Sequence, residues 1–187
     1  VTVPTVDGEA RRLTTHDSTD SRPAWSPDGK WIAFQSKRGD DENPQIYIIS
    51  TAGGEASRLT NIPTGASAPK WFSDSKRIAF ISRVWPDLKW DEMTKRVKER
   101  KDSKVSAKAW DKAPIRYWDT FHDDREAHLY TIGIDGRLAA MAPPTVAAGS
   151  NPHDIAVDPS GKFAYAANFG SDTLILTDTE STAGTYT

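Results

Sequence analysis

Blocks of this 187-residue sequence recur after 46 residues, and this recurrence constrains the fold more than any other feature. Residues 23–36 read PAWSPDGKWIAFQS, and residues 69–82 read PKWFSDSKRIAFIS. A second block repeats at the same offset, because GEARRLT at 8–14 returns as GEASRLT at 54–60. Two separate blocks that share one spacing indicate a chain built from copies of one structural unit.

The repeated blocks carry the positions on which such a unit would depend. A weaker third copy begins with DPSGK at 158–162. We expect Trp25 and Trp71 to be buried where neighbouring units pack, since large aromatic side chains supply much of the apolar area of a core. The positions predicted to be structural are Trp25, Asp28, Gly29, Phe34, Trp71, Asp74, Phe80, Asp158 and Gly161.

Each unit is predicted to form four short strands joined by turns. The Pro-Asp-Gly sequence at 27–29 is typical of a hairpin turn, since proline presets φ and glycine tolerates a positive φ. Residues 31–35 then alternate between the two faces of a strand. A third strand is expected at 45–49 and a short outer strand at 57–60. Four strands in about 40–50 residues correspond to one blade of a β-propeller.

The predicted fold class is all-β, a propeller of four-stranded blades with one charged, partly helical insertion. A single copy supplies about three to four blades, whereas a closed propeller typically has four to eight. The sequence therefore favours a fragment of a longer protein, and association of copies to complete a ring is the alternative. The predicted division is an outer strand at 1–15, a blade at 16–60, a blade at 61–138 with an insertion at 86–125, and a last blade at 139–187.

The first 132 residues resemble two related kinds of propeller repeat. The pattern WSPDGK followed by IAF is similar to TolB-type repeats and to the amino-terminal propeller of S9 serine peptidases, the prolyl oligopeptidase and acylaminoacyl-peptidase-like group. The order ISRVWPDL at 81–88, RYWD at 116–119 and HLY at 128–130 resembles the acylaminoacyl-peptidase-like members. The resemblance implies a non-catalytic scaffold or interaction segment that restricts which peptides reach an active site. The expected partner is a peptide or protein, such as an α/β-hydrolase domain absent from this chain.

The end of the chain resembles a different group. NPHDIAVDPSGKFAYAAN at 151–168 is similar to lactonase-type and YVTN propeller repeats, which include the 6-phosphogluconolactonase-like proteins. This resemblance implies an alternative function as a lactonase-like hydrolase fragment, for which His153 is the candidate catalytic residue. The two resemblances meet near 129–138, so an engineered or composite propeller chimera is a further alternative.

The insertion is rich in charge. Residues 89–112 contain nine basic and five acidic side chains. Trp90, Met93 and Val97 are spaced to form a narrow apolar stripe on a helix, which we expect to pack against the propeller. A site for nucleic acid or an acidic partner is conceivable here, but a solvated helix with many ion pairs is the more common outcome of such a pattern.

The sequence offers few other candidates for a metal-binding or catalytic site. Asp119, His122 and His128 are suitable metal ligands, but their spacing matches no known ligand framework, so we predict no metal and no cofactor. An activated serine would need a Gly-x-Ser-x-Gly elbow, and the sequence contains no such pentapeptide. The sequence therefore contains no recognisable catalytic motif.

Composition limits the remaining classes. The net charge is −2, which gives no global electrostatic case for nucleic-acid binding. No stretch approaches the roughly 20 apolar residues that span a bilayer. Cysteine is absent, which excludes disulfides but does not fix a compartment. Both a cytoplasmic location, as in the acylaminoacyl-peptidase-like group, and a periplasmic or extracellular one, as in TolB, remain open.

Overall fold

In the residues that it describes, the computed structural model of the chain has three four-stranded antiparallel sheets, one helix and a two-stranded hairpin. This is the predicted all-β architecture, with each sheet forming one blade of a partial propeller. The structure describes residues 11–103, 116–117, 120–121, 124–136, 146–148, 152–168, 173–178 and 185–186.

The first sheet is an antiparallel meander in chain order. It contains β1 (Ser21–Trp25), β2 (Trp31–Ser36), β3 (Gln45–Ser50) and β4 (Ser57–Arg58). The predicted hairpin turn joins β1 to β2, and Gly29 has the positive φ of +71° that this turn requires. The four strands expected from the repeat are therefore present.

The second sheet is interrupted by the insertion after its first two strands. It begins with β5 (Ser67–Trp71) and β6 (Arg77–Val84). The insertion follows, with the helix α1 (Trp90–Asp102) and a hairpin of β7 (Arg116–Tyr117) and β8 (Thr120–Phe121). Acidic residues in the first turn of α1 and basic residues in its last turn suit the helix dipole.

The second sheet is completed by two strands that follow the insertion, and the last of them lies later in the chain than expected. β9 (Glu126–Gly133) pairs with β6 over eight residues, and β10 (Val146–Ala147) pairs with β9. The second blade therefore extends beyond residue 138, where the sequence analysis ended it. The reason is that the outermost strand is only two residues long and carries no part of the repeat signature.

The third sheet repeats the meander. It contains β11 (Pro152–Val157), β12 (Phe163–Asn168), β13 (Thr173–Asp178) and β14 (Thr185–Tyr186). The weak third copy of the repeat therefore lies at the first turn of a four-stranded sheet in chain order, like the first sheet.

The sheets stack through their apolar faces. Because side chains alternate along a strand, neighbouring residues such as Ala33 and Phe34 belong to different clusters. The core at the junction of the first and second sheets includes Ala33, Ile46, Ile48, Ile78, Phe80, Tyr130 and Ile132. The core at the junction of the second and third sheets includes Ala79, Ile81, Leu129, Ile155, Ala164 and Ala166.

Candidate functional site

The predicted aspartates hold the turns that join the first two strands of each blade. Asp28 accepts hydrogen bonds from the Ser26 hydroxyl at 2.6 Å and from the Lys30 amide at 3.1 Å, and the first of these lowers the pKa of its carboxyl most. Asp74 accepts from the amides of Lys76 and Arg77 at 2.8 and 3.1 Å. Both side chains stabilise a turn, which supports a structural role.

The third turn has the same geometry with its two polar residues exchanged. Asp158 occupies the place of Ser26, because each of these residues bonds across the turn to the first residue of the next strand. Asp158 accepts from the Phe163 amide at 2.8 Å and from the Ser160 hydroxyl. Gly161 supplies the positive φ, +72°. The serine–aspartate pair is thus kept although the order of its members is reversed.

The two repeated tryptophans have different surroundings. Trp71 is 8% exposed, and its Nε1 donates a hydrogen bond to the carbonyl oxygen of Ala24 at 2.9 Å. Trp25 is 55% exposed. The prediction that both are buried is wrong for Trp25, because the described residues place no sheet before the one to which it belongs.

The repeated phenylalanines both stack on a tyrosine of the third strand. Phe34 and Tyr47 have ring centroids 6.0 Å apart, and Phe80 and Tyr130 have centroids 5.5 Å apart. Arg38 lies over the first pair, with its guanidinium carbon 5.0 and 5.1 Å from the two centroids. All four rings are buried, so these side chains form blade cores.

A buried carboxylate in the first blade was not found from the sequence. The Asp41 side chain is 1% exposed, and it accepts hydrogen bonds from the Tyr47 hydroxyl and from Arg58 Nη1, both at 2.6 Å. Burial disfavours the ionised form of Asp41, but these donors outweigh it and hold the pKa of its carboxyl below the usual value. Burial and the Asp41 carboxylate raise the pKa of Tyr47 to about 12. This network links the loop between β2 and β3 to the strands β3 and β4.

The inner strands β1, β5 and β11 form the edge that faces the centre of a propeller. Each pairs irregularly with its neighbour near its beginning, as β-bulges do. Lys70 on β5 and Asp154 on β11 form an ion pair of 3.2 Å across two blades. The backbone of His153 lies in β11 at such an irregularity, and its side chain lies outside the described residues.

The insertion places a cap on one rim of the sheets, which we define as α1 together with Trp85 and Asp124. Met93 is buried in the core between the first two blades, and Val97 packs on the same cluster. The predicted apolar stripe is therefore confirmed for Met93 and Val97, whereas Trp90 is 39% exposed and lies against Tyr130.

Charged groups fasten the cap to its own blade. Arg96 and Arg100 lie over the Trp85 ring at 4.7 and 4.8 Å, and both donate to Asp124, at 2.8 and 2.6 Å. Burial opposes ionisation of Asp124, but the Trp85 indole and the two guanidinium groups lower the pKa of its carboxyl. Lys101 reaches the neighbouring blade and pairs with Glu42 at 2.8 Å.

The metal candidates are not brought together by the described structure. Asp119 and His122 lie outside the described residues. His128 lies in β9, where burial lowers the pKa of its imidazole and Glu126 lies 3.7 Å away. Among the residues that can be described, no group of three His, Cys, Asp or Glu side chains is placed to hold an ion.

These features define a propeller-domain protein, and comparison with known proteins gives its family. The family described as the tricorn protease N-terminal β-propeller domain matches residues 2–131. The chain belongs to this family.

Solved structures agree on the fold. The structure described as putative TolB from Agrobacterium tumefaciens is similar with a TM-score of 0.54 and 17% identity, covering 98% of this chain and 53% of that one. An acylaminoacyl peptidase from Pyrococcus horikoshii is similar with a TM-score of 0.55 and 15% identity, covering 85% of this chain and 24% of that one. The chain thus spans about half of the first protein and about a quarter of the second.

In the described part of the chain, no helix is long and apolar enough to cross a membrane.

Proposed function

We propose that this chain is a non-catalytic propeller segment that acts as a scaffold and gate beside a hydrolase domain, and that the cap is its contact surface. The observation that carries the proposal is the cap itself. A helix inserted in the second blade is anchored on the sheets by packing and ion pairs, and it presents side chains that the blade fold does not use.

The anchoring of α1 supports a role in recognition. Its inner side is fixed by the buried Met93 and by the Arg96–Asp124–Arg100 cluster. Lys95 and Lys98 lie on the same helix but are exposed. A surface whose backbone is already ordered loses little entropy when a partner binds, which favours affinity.

The inner strands support the gating part of the proposal. They stand side by side, since β5 contacts both β1 and β11. The Lys70–Asp154 pair lies on this inner edge, with both side chains partly exposed. A peptide that passed along the centre of a ring would therefore meet fixed charges of both signs.

Binding and turnover measurements test the proposal together. Immobilised chain is titrated with the isolated α/β-hydrolase domain of an S9 peptidase, and we expect Lys95→Glu with Lys98→Glu to weaken binding. Lys30→Glu is the matched control, because Lys30 lies on an exposed turn at the other end of the blade strands. Loss of binding in the control alone would contradict the role of the cap.

The lactonase-like alternative predicts a different result. The purified chain is assayed with a δ-lactone and with an N-acetylated amino-acid p-nitroanilide, and the scaffold proposal expects turnover of neither. Hydrolysis of the lactone that disappears in His153→Ala would replace the scaffold proposal with the lactonase one, since only the latter uses that histidine.

A further inference from the structure

The turns between the first two strands of the three sheets touch one another. The Asp28 amide in the first turn donates a hydrogen bond to the Ser75 hydroxyl of the second turn at 3.1 Å. The third turn packs on the second, since a Cβ atom at the buried Gly161 would lie 3.4 Å from Ser73 Oγ. The turns therefore form one continuous row, and α1 follows the opposite end of β6 from this row.

Each turn carries an exposed lysine at the same place. Lys30, Lys76 and Lys162 each come directly before the second strand of their sheet, and all three are exposed. The lysine is kept even in the third turn, where the serine and the aspartate are exchanged. We call these three side chains the lysine row.

The turns themselves do not select lysine at this place. The backbone amide of each lysine donates a hydrogen bond within its own turn, at 3.1, 2.8 and 3.3 Å for Lys30, Lys76 and Lys162. Every residue except proline can supply that amide, so the bond specifies no side chain. The recurrence of lysine in all three copies therefore points to a use of the ammonium groups beyond the turns.

The aspartates of the turns are engaged within the turns. Asp74 accepts hydrogen bonds from two backbone amides and from Arg77 Nε, the last at 2.7 Å. Asp158 likewise accepts from two amides of the third turn. The Lys30 ammonium lies 4.0 Å from the Asp28 carboxylate, and the Lys30 side chain is 76% exposed. Residues 26–30, 73–77 and 158–162 together hold four basic and three acidic side chains, so the row is slightly cationic.

We propose that the lysine row binds an extended acidic peptide segment, on a surface separate from the cap. Stacked sheets lie about 10 Å apart, which sets the approximate spacing of neighbouring lysines. A polyproline II helix repeats every three residues and rises about 9 Å in that length, so acidic residues at every third position face successive lysines. Further blades would lengthen the row without covering it, because blades stack through their faces.

The charges of the chain favour a peptide over a nucleic acid. The phosphates of one DNA strand follow each other every ~3.4 Å along the helix axis, so a row with one cation per ~10 Å leaves most of them unpaired. The net charge of the whole chain is −2, which provides no long-range attraction for a polyanion of such charge density. A peptide with widely spaced carboxylates matches the row better.

Binding of a designed peptide to the full chain tests the proposal. The probe is a fluorescein-labelled peptide of six Glu-Pro-Pro repeats, and its anisotropy is measured at low salt. The variant with Lys30→Gln, Lys76→Gln and Lys162→Gln should bind it about tenfold more weakly, since three exposed ion pairs are lost and each of them is weak. The matched control removes three exposed lysines of the insertion, with Lys89→Gln, Lys95→Gln and Lys98→Gln, and should keep the wild-type affinity. Circular dichroism verifies that both variants are folded.

Two further peptides test the spacing. Six Gln-Pro-Pro repeats have the same backbone without the charge and should not bind. A peptide with six consecutive glutamates followed by twelve prolines has the same composition as the probe, and it should bind several-fold more weakly because its carboxylates cannot each reach a different lysine.

Several outcomes would overturn the proposal. Equal losses in the two triple variants would mean that the probe responds to overall charge, and equal affinity for the clustered peptide would mean that the spacing of the row plays no part. No binding at millimolar peptide would also overturn it. Tighter binding of an 18-nucleotide oligothymidylate, lost in the variant of the row, would assign the row to nucleic acid instead. None of these results bears on the binding of a hydrolase domain through the cap.

Discussion

The indole Nε1 of Trp71 lies 2.9 Å from the carbonyl oxygen of Ala24, and this hydrogen bond joins the inner strands of two neighbouring blades. An inner strand has one edge unpaired, so its carbonyl groups need partners from elsewhere. The repeated tryptophan supplies such a partner and buries its ring at the same time. The junction between blades is therefore specified by a polar contact as well as by apolar area.

Replacing this tryptophan should weaken the junction. Trp71→Phe keeps an aromatic ring but leaves the Ala24 carbonyl without its donor, so we expect the free energy of unfolding to fall by about 2 kcal/mol. Urea unfolding measures the change. Trp90→Phe is the control and should change the stability by less than about 0.5 kcal/mol, because Trp90 is partly exposed. Equal losses in the two variants would contradict the role of the hydrogen bond.

The blade was predictable from the sequence because its signals are local. The Pro-Asp-Gly turn and the alternation after it fix two strands, and the offset of 46 residues carries the assignment to the next unit. The apolar positions of α1 were predictable for the same reason, since Met93 and Val97 follow the helical period.

The side-chain contacts made through loops and across blades were not predictable in this way. The Asp41–Tyr47 hydrogen bond and the Lys70–Asp154 pair join residues whose approach depends on register and stacking. The exposure of Trp25 depends on which sheet lies beside it, and the repeat alone cannot specify that neighbour. The sequence analysis placed the second blade's end too early because β10 has no motif of its own.

The buried carboxylate Asp41 should contribute to stability. Asp41→Asn removes the charge that Tyr47 and Arg58 share, and we expect a loss of about 2 kcal/mol, less than for a fully buried ion pair because Arg58 is partly in water. Thermal unfolding measures the loss. Asp40→Asn is the matched control, since Asp40 is 98% exposed and lies 3.8 Å from the same Arg58.

The same variant gives a test by pH. The pKa of Asp41 is lowered on folding, so its contribution is fully present above the pKa of an unfolded aspartate, about 3.9, and is lost as the pH falls through the lower folded value. The stability difference between the wild type and Asp41→Asn should therefore shrink as the pH is taken below about 4. If the stability difference instead grew as the pH fell, the inferred direction of the Asp41 pKa shift would be wrong.

Ser75 stores strain in the second turn. It has a positive φ of +56° where the other two turns have glycine, and its hydroxyl accepts a hydrogen bond from the Asp28 amide at 3.1 Å. Ser75→Ala keeps the strain and removes the bond, whereas Ser75→Gly removes both. We expect Ser75→Ala to be the least stable of the three proteins, by about 1 kcal/mol relative to Ser75→Gly. Calorimetry that ranked Ser75→Ala above Ser75→Gly would contradict this account.

Removing the charge of Asp124 should loosen the cap but leave the blades unchanged. Asp124→Asn weakens the bonds to Arg96 and Arg100, both of which lie in the second half of α1, while Met93 keeps the first half in the core. Backbone amides of residues 96–102 should therefore exchange with deuterium faster, by roughly tenfold, the equivalent of about 1.4 kcal/mol in local opening. Amides of β6 and β9 should keep their wild-type exchange rates, because their eight-residue pairing does not involve the ion pairs of Asp124. Asp87→Asn is the control, since Asp87 is exposed in the same insertion. Faster exchange in β6 would mean that the cap supports the blade instead of resting on it, and the surface proposed for partner binding would then be part of the core.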